Sequence, residues 1–203
     1  MAPPTPSLPS RIQEILAAYY GLEGAPLVDD FIEVADDARE ALLVRELGLT
    51  GEGQEVELCL RLPRAAVDVD QRPTFDEVCQ IIEGVSHFLY LVERARRELP
   101  ATHLELELQA EIDKYVLLAS ARPFEPAHAA RIRARLFERV AFLDAADTET
   151  GARYRLANDL AARFAGRLEQ VFARHGRFEA MRRTLRRFYA AGQTGKIELA
   201  RAA

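Results

Sequence analysis

From Pro73 onward the chain can form little other than helices, because one entry signal returns ahead of apolar residues at helical spacing. Thr74 with Glu77, and Thr102 with Glu105, each place a hydroxyl three residues before a carboxylate. In that pattern the two side chains satisfy the orphan N–H groups of a helix's first turn. The first pair opens a helix over residues 75–98, with Val78, Ile81, Ile82, Val85, Phe88, Leu89 and Val92 on one face, and Pro100 stops it. The second opens a helix over residues 103–121. It also resolves an ambiguity, since Leu104-Glu105-Leu106-Glu107-Leu108 alternates like a strand while Leu104, Leu108, Ile112 and Tyr115 recur at helical spacing. So short a connection predicts an antiparallel helical hairpin.

Three further helices are predicted. One covers residues 125–143, with Ile132, Leu136, Val140 and Leu143 as its stripe. Another covers 153–174, ended by Gly176. The last is marked by Phe178, Met181, Leu185 and Phe188. Ahead of Pro73 the period changes. Ser10 with Gln13 predicts a short helix to Tyr20, broken by Gly21, Gly24 and Pro26. Residues 31–34, 41–47 and 55–62 read as strands. In the last of them Val56, Leu58, Leu60 and Leu62 point one way and Glu55, Glu57, Cys59 and Arg61 the other. Residues 47–53 supply the turn between the last two strands. The expected fold is α+β: mainly a helical bundle of about five helices after residue 73, with a small two- or three-stranded antiparallel sheet near the N-terminus. Residues 1–9 read as a disordered Pro-rich tail and 191–203 as a flexible tail. Residues 10–190 read as a single domain, with one helix and the small sheet over 10–72 and the helical bundle over 73–190.

Charge is unevenly distributed. Residues 1–120 hold 23 Asp and Glu against 10 Lys and Arg, whereas residues 121–203 hold 9 against 17. Such a split predicts either self-complementary docking of the two halves or a basic face for an anionic partner. Arg outnumbers Lys 25 to 2, consistent with a GC-rich bacterial genome. Cys59 and Cys79 lack C-x-x-C spacing, and two thiols build neither a disulfide framework nor a structural zinc site. The start of the chain lacks a signal-peptide pattern and no apolar run reaches membrane-spanning length, so a cytoplasmic location without membrane contact is expected.

The hairpin carries the most chemistry. Glu83 and His87 lie four apart on one helix, and Glu107 and Glu111 four apart on the other. Glu111 falls inside the stripe of Leu104, Leu108, Tyr115 and Leu118, where a carboxylate needs a partner. Folding the hairpin about residue 101 predicts Glu111 near Tyr90 and Arg94, and Lys114 near His87. Glu83, His87 and Glu111 are thus candidates for a metal or acid–base site, although the dimetal bundle pattern of Glu-x-x-His on two helices is not met. The bland reading of Tyr90, Arg94, Glu107, Glu111 and Lys114 is a structural polar network, with Arg94 paired to Glu107 or Glu111 and His87 to Glu83.

Arg163, Arg167, Arg174, Arg182, Arg183, Arg186 and Arg187 lie opposite apolar stripes and are candidates for an anionic or nucleic-acid partner. The alternative is that they pair with the acidic half. Residues 122–128, Arg122 through His128, resemble HEPN-type ribonucleases, helical bundles, in having an arginine and a histidine with five residues between. The likeness spans seven residues and departs from a helical setting at Pro123 and Pro126, so the segment reads as a loop entering a helix. Residues 191–197 imitate a phosphate loop, but Ala190 and Ile197 stand where Gly and Ser or Thr are required. No nucleophile elbow is present and no cofactor is implied. The sequence therefore points to a non-catalytic cytoplasmic interaction or regulatory protein of a bacterium, whose partner is another protein. The alternatives are a nucleic-acid-associated protein using the Arg-rich helices, and a metal-dependent or hydrolytic enzyme with its Glu/His site on the hairpin.

Overall fold

The computed structural model describes residues 6–35, 40–50, 53–66, 68, 72–120 and 125–202. The chain is α+β and mainly helical, with a three-stranded sheet near its N-terminus. Helix α1, Leu8–Tyr20, begins earlier than expected. Ser7 rather than Ser10 is its cap, accepting from the Ser10 N–H at 3.0 Å, and Pro9 sits in its first turn. Residues 1–5 of the expected Pro-rich tail lie outside the described residues, while Leu8 and Pro9 already belong to the helix.

Strands β1 (Ile32–Ala35), β2 (Ala41–Thr50) and β3 (Gly53–Pro63) lie in the order β1-β3-β2. β2 and β3 pair antiparallel, as expected, with a bulge between Glu46 and Gly48. β1 instead takes the far edge of β3 in parallel, Ile32 opposite Leu60, so the sheet is mixed. β3 lies between β1 and β2, so β1 and β2 do not pair with each other. Leu60 and Leu62 are wholly buried against the helices and Glu57 is exposed, as the period of two requires.

Helix α2, Phe75–Arg96, carries the full capping box of Thr74 and Glu77. Helix α3, His103–Ser120, has the reciprocal pair as well: the Thr102 N–H donates to Glu105 at 2.7 Å and the Glu105 N–H to Thr102 at 3.2 Å. The two pack as the predicted hairpin. Gly84 lets the sheet approach α2, since a Cβ there would stand 2.8 Å from Leu62 Cδ2 and 2.9 Å from Leu60 Cδ1.

Helix α4, Pro126–Arg133, runs into a π turn, Ala134–Glu138, and stops there rather than at residue 143. The pattern through Val140 and Leu143 misleads because α5 takes over the chain. Asn158 donates to the Phe137 carbonyl at 3.2 Å, Arg155 to the Asp144 carbonyl at 2.9 Å, and the Arg155 guanidinium lies over the Phe142 ring, leaving Leu143 68% exposed. Helix α5, Glu149–Arg167, starts four residues before the expected Arg153, capped by Thr148. It continues through a π turn, Leu168–Phe172, and a 3₁₀ turn, Ala173–His175, to Gly176 at φ 65°. Helix α6 is Phe178–Ala190.

Residues 191–203, read from sequence as a flexible tail, contain helix α7, Gln193–Arg201, packed against α5 and α3. Its anchor is Lys196, which has no exposed surface. Lys196 Nζ donates to Gln109 Oε1 at 2.6 Å and to the Phe188 carbonyl at 2.9 Å, and stands 4.3 Å from the Phe188 ring centroid and 4.7 Å from that of Tyr90. Gln109 in turn donates to Asp113 at 2.9 Å, which also accepts from Ser86 at 2.6 Å and from Tyr20. Local glycine content hid this helix, and burial of one lysine across three elements decides it.

Burial pulls the Lys196 ammonium down to about 7, against the opposing pull of Asp113 and Glu105. The unfolded lysine titrates near 10.4, so between those values the unfolded chain holds a proton that the folded chain lacks. Stability therefore falls as pH drops toward 7, by up to about 1.4 kcal/mol per pH unit. Lys196→Met is expected to flatten the slope of urea-unfolding free energy against pH between about pH 7 and 9. An unchanged slope contradicts the assignment.

Candidate metal centre between β2 and the helical hairpin

The hairpin register decides which side chains meet. Glu98, at φ 54°, reverses the chain sharply and the Leu99 N–H returns to the Arg94 carbonyl at 2.9 Å. The contacts Ser86–Asp113, Glu83–Lys114 and Tyr90–Glu105 place the fold-back nearer Glu98 than residue 101. The expected partners consequently move by about one helical turn. Lys114 meets Glu83 and Glu111, each at 2.9 Å, rather than His87. Arg94 lies 3.6 Å from Glu105, not beside Glu107 or Glu111, and donates to the Pro100 carbonyl at 2.8 and 2.5 Å. Tyr90 donates to Glu105 at 3.2 Å. The predicted network is thus two clusters, one at the turn and one at mid-helix.

At mid-helix, one donor atom each from Glu83, His87 and Glu107 lie within 4.8 Å of one another. α2 presents Glu83 and His87 one turn apart, and α3 brings Glu107 across. A third carboxylate arrives from outside the hairpin. Glu40, just before β2, sets Oε1 3.6 Å from His87 Nδ1. Its Oε2 lies 3.2 Å from where a Gly84 Cβ would be, so the bare helix surface at Gly84 admits it. His87 is 7% exposed, and its Nε2 is a buried nitrogen without a hydrogen-bond partner; Glu40 Oε2 is likewise unpartnered.

Electrostatics follow from crowding. Glu40, Glu83, Glu107 and Glu111 face a single ammonium, Lys114. Burial, then Glu83 and Glu107, push the Glu40 carboxyl up to about 9. Burial, then Glu83, push Glu107 up to about 8, with Arg153 and Lys114 opposing. Burial also raises Glu111, though Lys114 counters it. Burial lowers His87, with Glu83 and the Leu106 carbonyl opposing, and keeps its imidazole neutral at neutral pH. Burial would also lower Lys114, but Glu111 and Glu83 outweigh it and hold it charged. Cys79, one turn before Glu83, is pushed to about 12 by burial and stays a thiol.

The cluster opens on a cavity of about 670 Å³ between β2 and the turn end of the hairpin, with Tyr154 of α5 on its wall. Glu83 and Tyr154 also line a smaller recess of about 160 Å³ on the side of residues 140–144. Of the sequence candidates, Glu83 and His87 meet here, while Glu111 turns to Lys114. Glu107, assigned from sequence to the structural network, belongs to the site. Glu40 and Tyr154 carried no sequence signal, because they approach from separate elements. Glu107 could have been found from the four-residue spacing shared by Glu83–His87 and Glu107–Glu111, given the right hairpin register.

The arginines follow another pattern. Arg163 pairs with Asp159 at 3.1 Å, Arg174 with Glu169 at 2.6 Å and Arg182 with Glu179 at 3.1 Å, all within the basic half. Arg186 donates to the Tyr19 carbonyl at 3.0 Å. Arg167, Arg183 and Arg187 form no ion pair among the described residues. None of these seven neutralises the hairpin carboxylates. Of the ribonuclease-like segment, Arg122 lies outside the described residues, and His128 Nε2 stands 3.0 Å from the Leu118 carbonyl. Among the described residues, no helix is long and apolar enough to cross a membrane. Comparison with known proteins finds no family, curated protein or solved structure that this chain matches.

Lys114→Met removes the one ammonium from a buried group of carboxylates. A loss of about 3 kcal/mol in unfolding free energy is expected at neutral pH, because breaking a buried pair strands its partners. Acidifying toward pH 4 is expected to shrink that loss as the stranded carboxylates protonate, and urea unfolding at both pH values measures it.

Proposed function

We propose that this protein binds a divalent transition cation through Glu83, His87 and Glu107. The observation that carries the reading is their three donor atoms within 4.8 Å, one of them on a buried histidine whose Nε2 has no hydrogen-bond partner. A neutral imidazole with two carboxylates and no thiolate suits Zn²⁺, Mn²⁺ or Fe²⁺ better than a soft ion. Glu40, beside His87 Nδ1, is in the place of the outer carboxylate that orients a ligating imidazole. The crowding favours the same reading, since Glu107, pushed up to about 8 chiefly by burial and Glu83, would exchange its proton for the cation. Three protein ligands leave coordination positions open toward the cavity, the arrangement of catalytic rather than structural metal sites. Metal-assisted hydrolysis is the reaction class this arrangement suits.

The purified 203-residue chain, loaded with Zn²⁺ and dialysed, is expected to retain one equivalent per chain by elemental analysis. His87→Ala is expected to weaken binding by at least about 10–100-fold while the chain stays folded. Cation at 100 times its Kd should raise unfolding free energy by about 2.7 kcal/mol. A folded wild-type chain that holds no metal and gains no stability from it would exclude the reading.

A second reading, contact with a polyanion, is favoured by the exposed Arg182, Arg183, Arg186 and Arg187 on α6. On that reading Arg183→Glu with Arg187→Glu weakens binding to a single-stranded oligonucleotide at low salt and flattens its salt dependence. Equal binding by both chains removes it.

A further inference from the structure

The cavity beside the proposed cation site has one polar end and one apolar body. At its inner end stand Glu40, His87 and Glu107; its walls are Leu42, Val44, Leu91 and Leu106; its mouth is at the exposed Thr102 and His103 of the hairpin turn. Leu91 lies one helical turn beyond His87 on α2, and His103 one turn before Glu107 on α3, so apolar wall and mouth follow the polar end in sequence along both helices. A volume of about 670 Å³ lies in the range of sites that enclose a small organic molecule.

The polar end specifies a head group. Among the described residues no lysine or arginine lines this cavity, so at its inner end a ligand oxygen is met by a bound cation, with the Thr102, His103 and Tyr154 donors elsewhere on its lining. Beside it Glu40 Oε2 is buried and unpartnered, which calls for a ligand donor, N–H or O–H. Carboxylate and ether heads lack that donor, while an amine lacks the oxygen. An amide head has both, and the apolar walls suit an acyl chain pointing to the mouth. Resting on the cation site above, we propose that the cavity binds medium-chain acyl amides, with the carbonyl oxygen on the cation, the N–H donating to Glu40 and the chain along Leu91 and Leu106.

Octanohydroxamic acid is a suitable probe, having a metal-binding carbonyl, an N–H and an alkyl chain. Calorimetric titration into the Zn²⁺-loaded full chain is expected to give one site, at least tenfold tighter than acetohydroxamic acid, which lacks the chain, or N-methyl-octanohydroxamic acid, which keeps the chain and both metal-binding oxygens but lacks the N–H. Leu91→Trp, filling the body, should keep its Zn²⁺ and lose the octanohydroxamate preference; Leu106→Trp serves if circular dichroism shows the first unfolded. Glu40→Gln should narrow the gap between octanohydroxamate and its N-methyl form. Acetohydroxamate binding as tightly as the longer probe overturns the proposal, as does octylamine binding the metal-free chain more tightly than the hydroxamate binds the loaded one. Failure to hold Zn²⁺ overturns this proposal together with the cation site; retained Zn²⁺ without octanohydroxamate binding overturns this proposal alone.

Discussion

Asp113 is the point through which four helices are tied. Its carboxylate accepts from Ser86 of α2 and Gln109 of α3 at 2.6 and 2.9 Å and from Tyr20 of α1, and through Gln109 it holds Lys196 of α7. A buried carboxylate is costly unless its lone pairs are filled, so each donor is held in place by the others. Burial still raises Asp113 to about 6, although Ser86, Tyr20 and Gln109 each pull it down. The surrounding rings close the site to water: Tyr20 stacks on Tyr189 at 4.2 Å and Phe164 on Phe188 at 4.3 Å.

That tie fixes the register of α2 against α3, and the register composes the carboxylate cluster. With Ser86 opposite Asp113, Glu83 must meet Lys114, and His87 must turn toward Glu107. The sheet then completes the group, because Gly84 leaves room for Leu60 and Leu62 and brings Glu40 with them. A site assembled this way crowds its carboxyl groups, and Glu40 and Glu107 are held protonated at neutral pH. Stability and function pull apart at such places: a core built for stability alone would not gather four carboxylates around one lysine.

The charge asymmetry has a different structural meaning from docking of opposites. Arg163 of α5 and Arg182 of α6 pair locally, and in the acidic half Lys114, Arg94 and Arg97 pair with carboxylates of that same half, while Arg153 of α5 acts on Glu107 across the halves. What crosses between halves is mostly not carboxylate to arginine. Lys196 reaches Gln109 and the aromatic faces, Arg186 a backbone carbonyl, and Arg135 covers the Phe75 ring at 3.6 Å. Most of the surface pairs contribute little on their own, so burial and hydrogen bonding rather than opposite charge join the halves.

Local chemistry was legible wherever a signal is complete within a few residues. The capping boxes of Thr74 and Thr102, the alternation of Leu58, Leu60 and Leu62, and the stop at Gly176 belong to that class, because backbone groups and side-chain period decide them within one or two turns. The need of Glu111 for a cation was legible too, since burial of a lone charge is forbidden whatever the fold. Only the tertiary structure decided the rest. It set the one-turn shift of the hairpin, the parallel pairing of β1 and the arrival of Glu40 at His87, each of which compares distant segments. It ended α4 at Glu138 and made a helix of residues 193–201, where packing against α5, α3 and Phe188 outweighs local propensity. Sequence thus determined most of the helices and strands through contacts a few residues long, while the site required contacts between residues tens of positions apart.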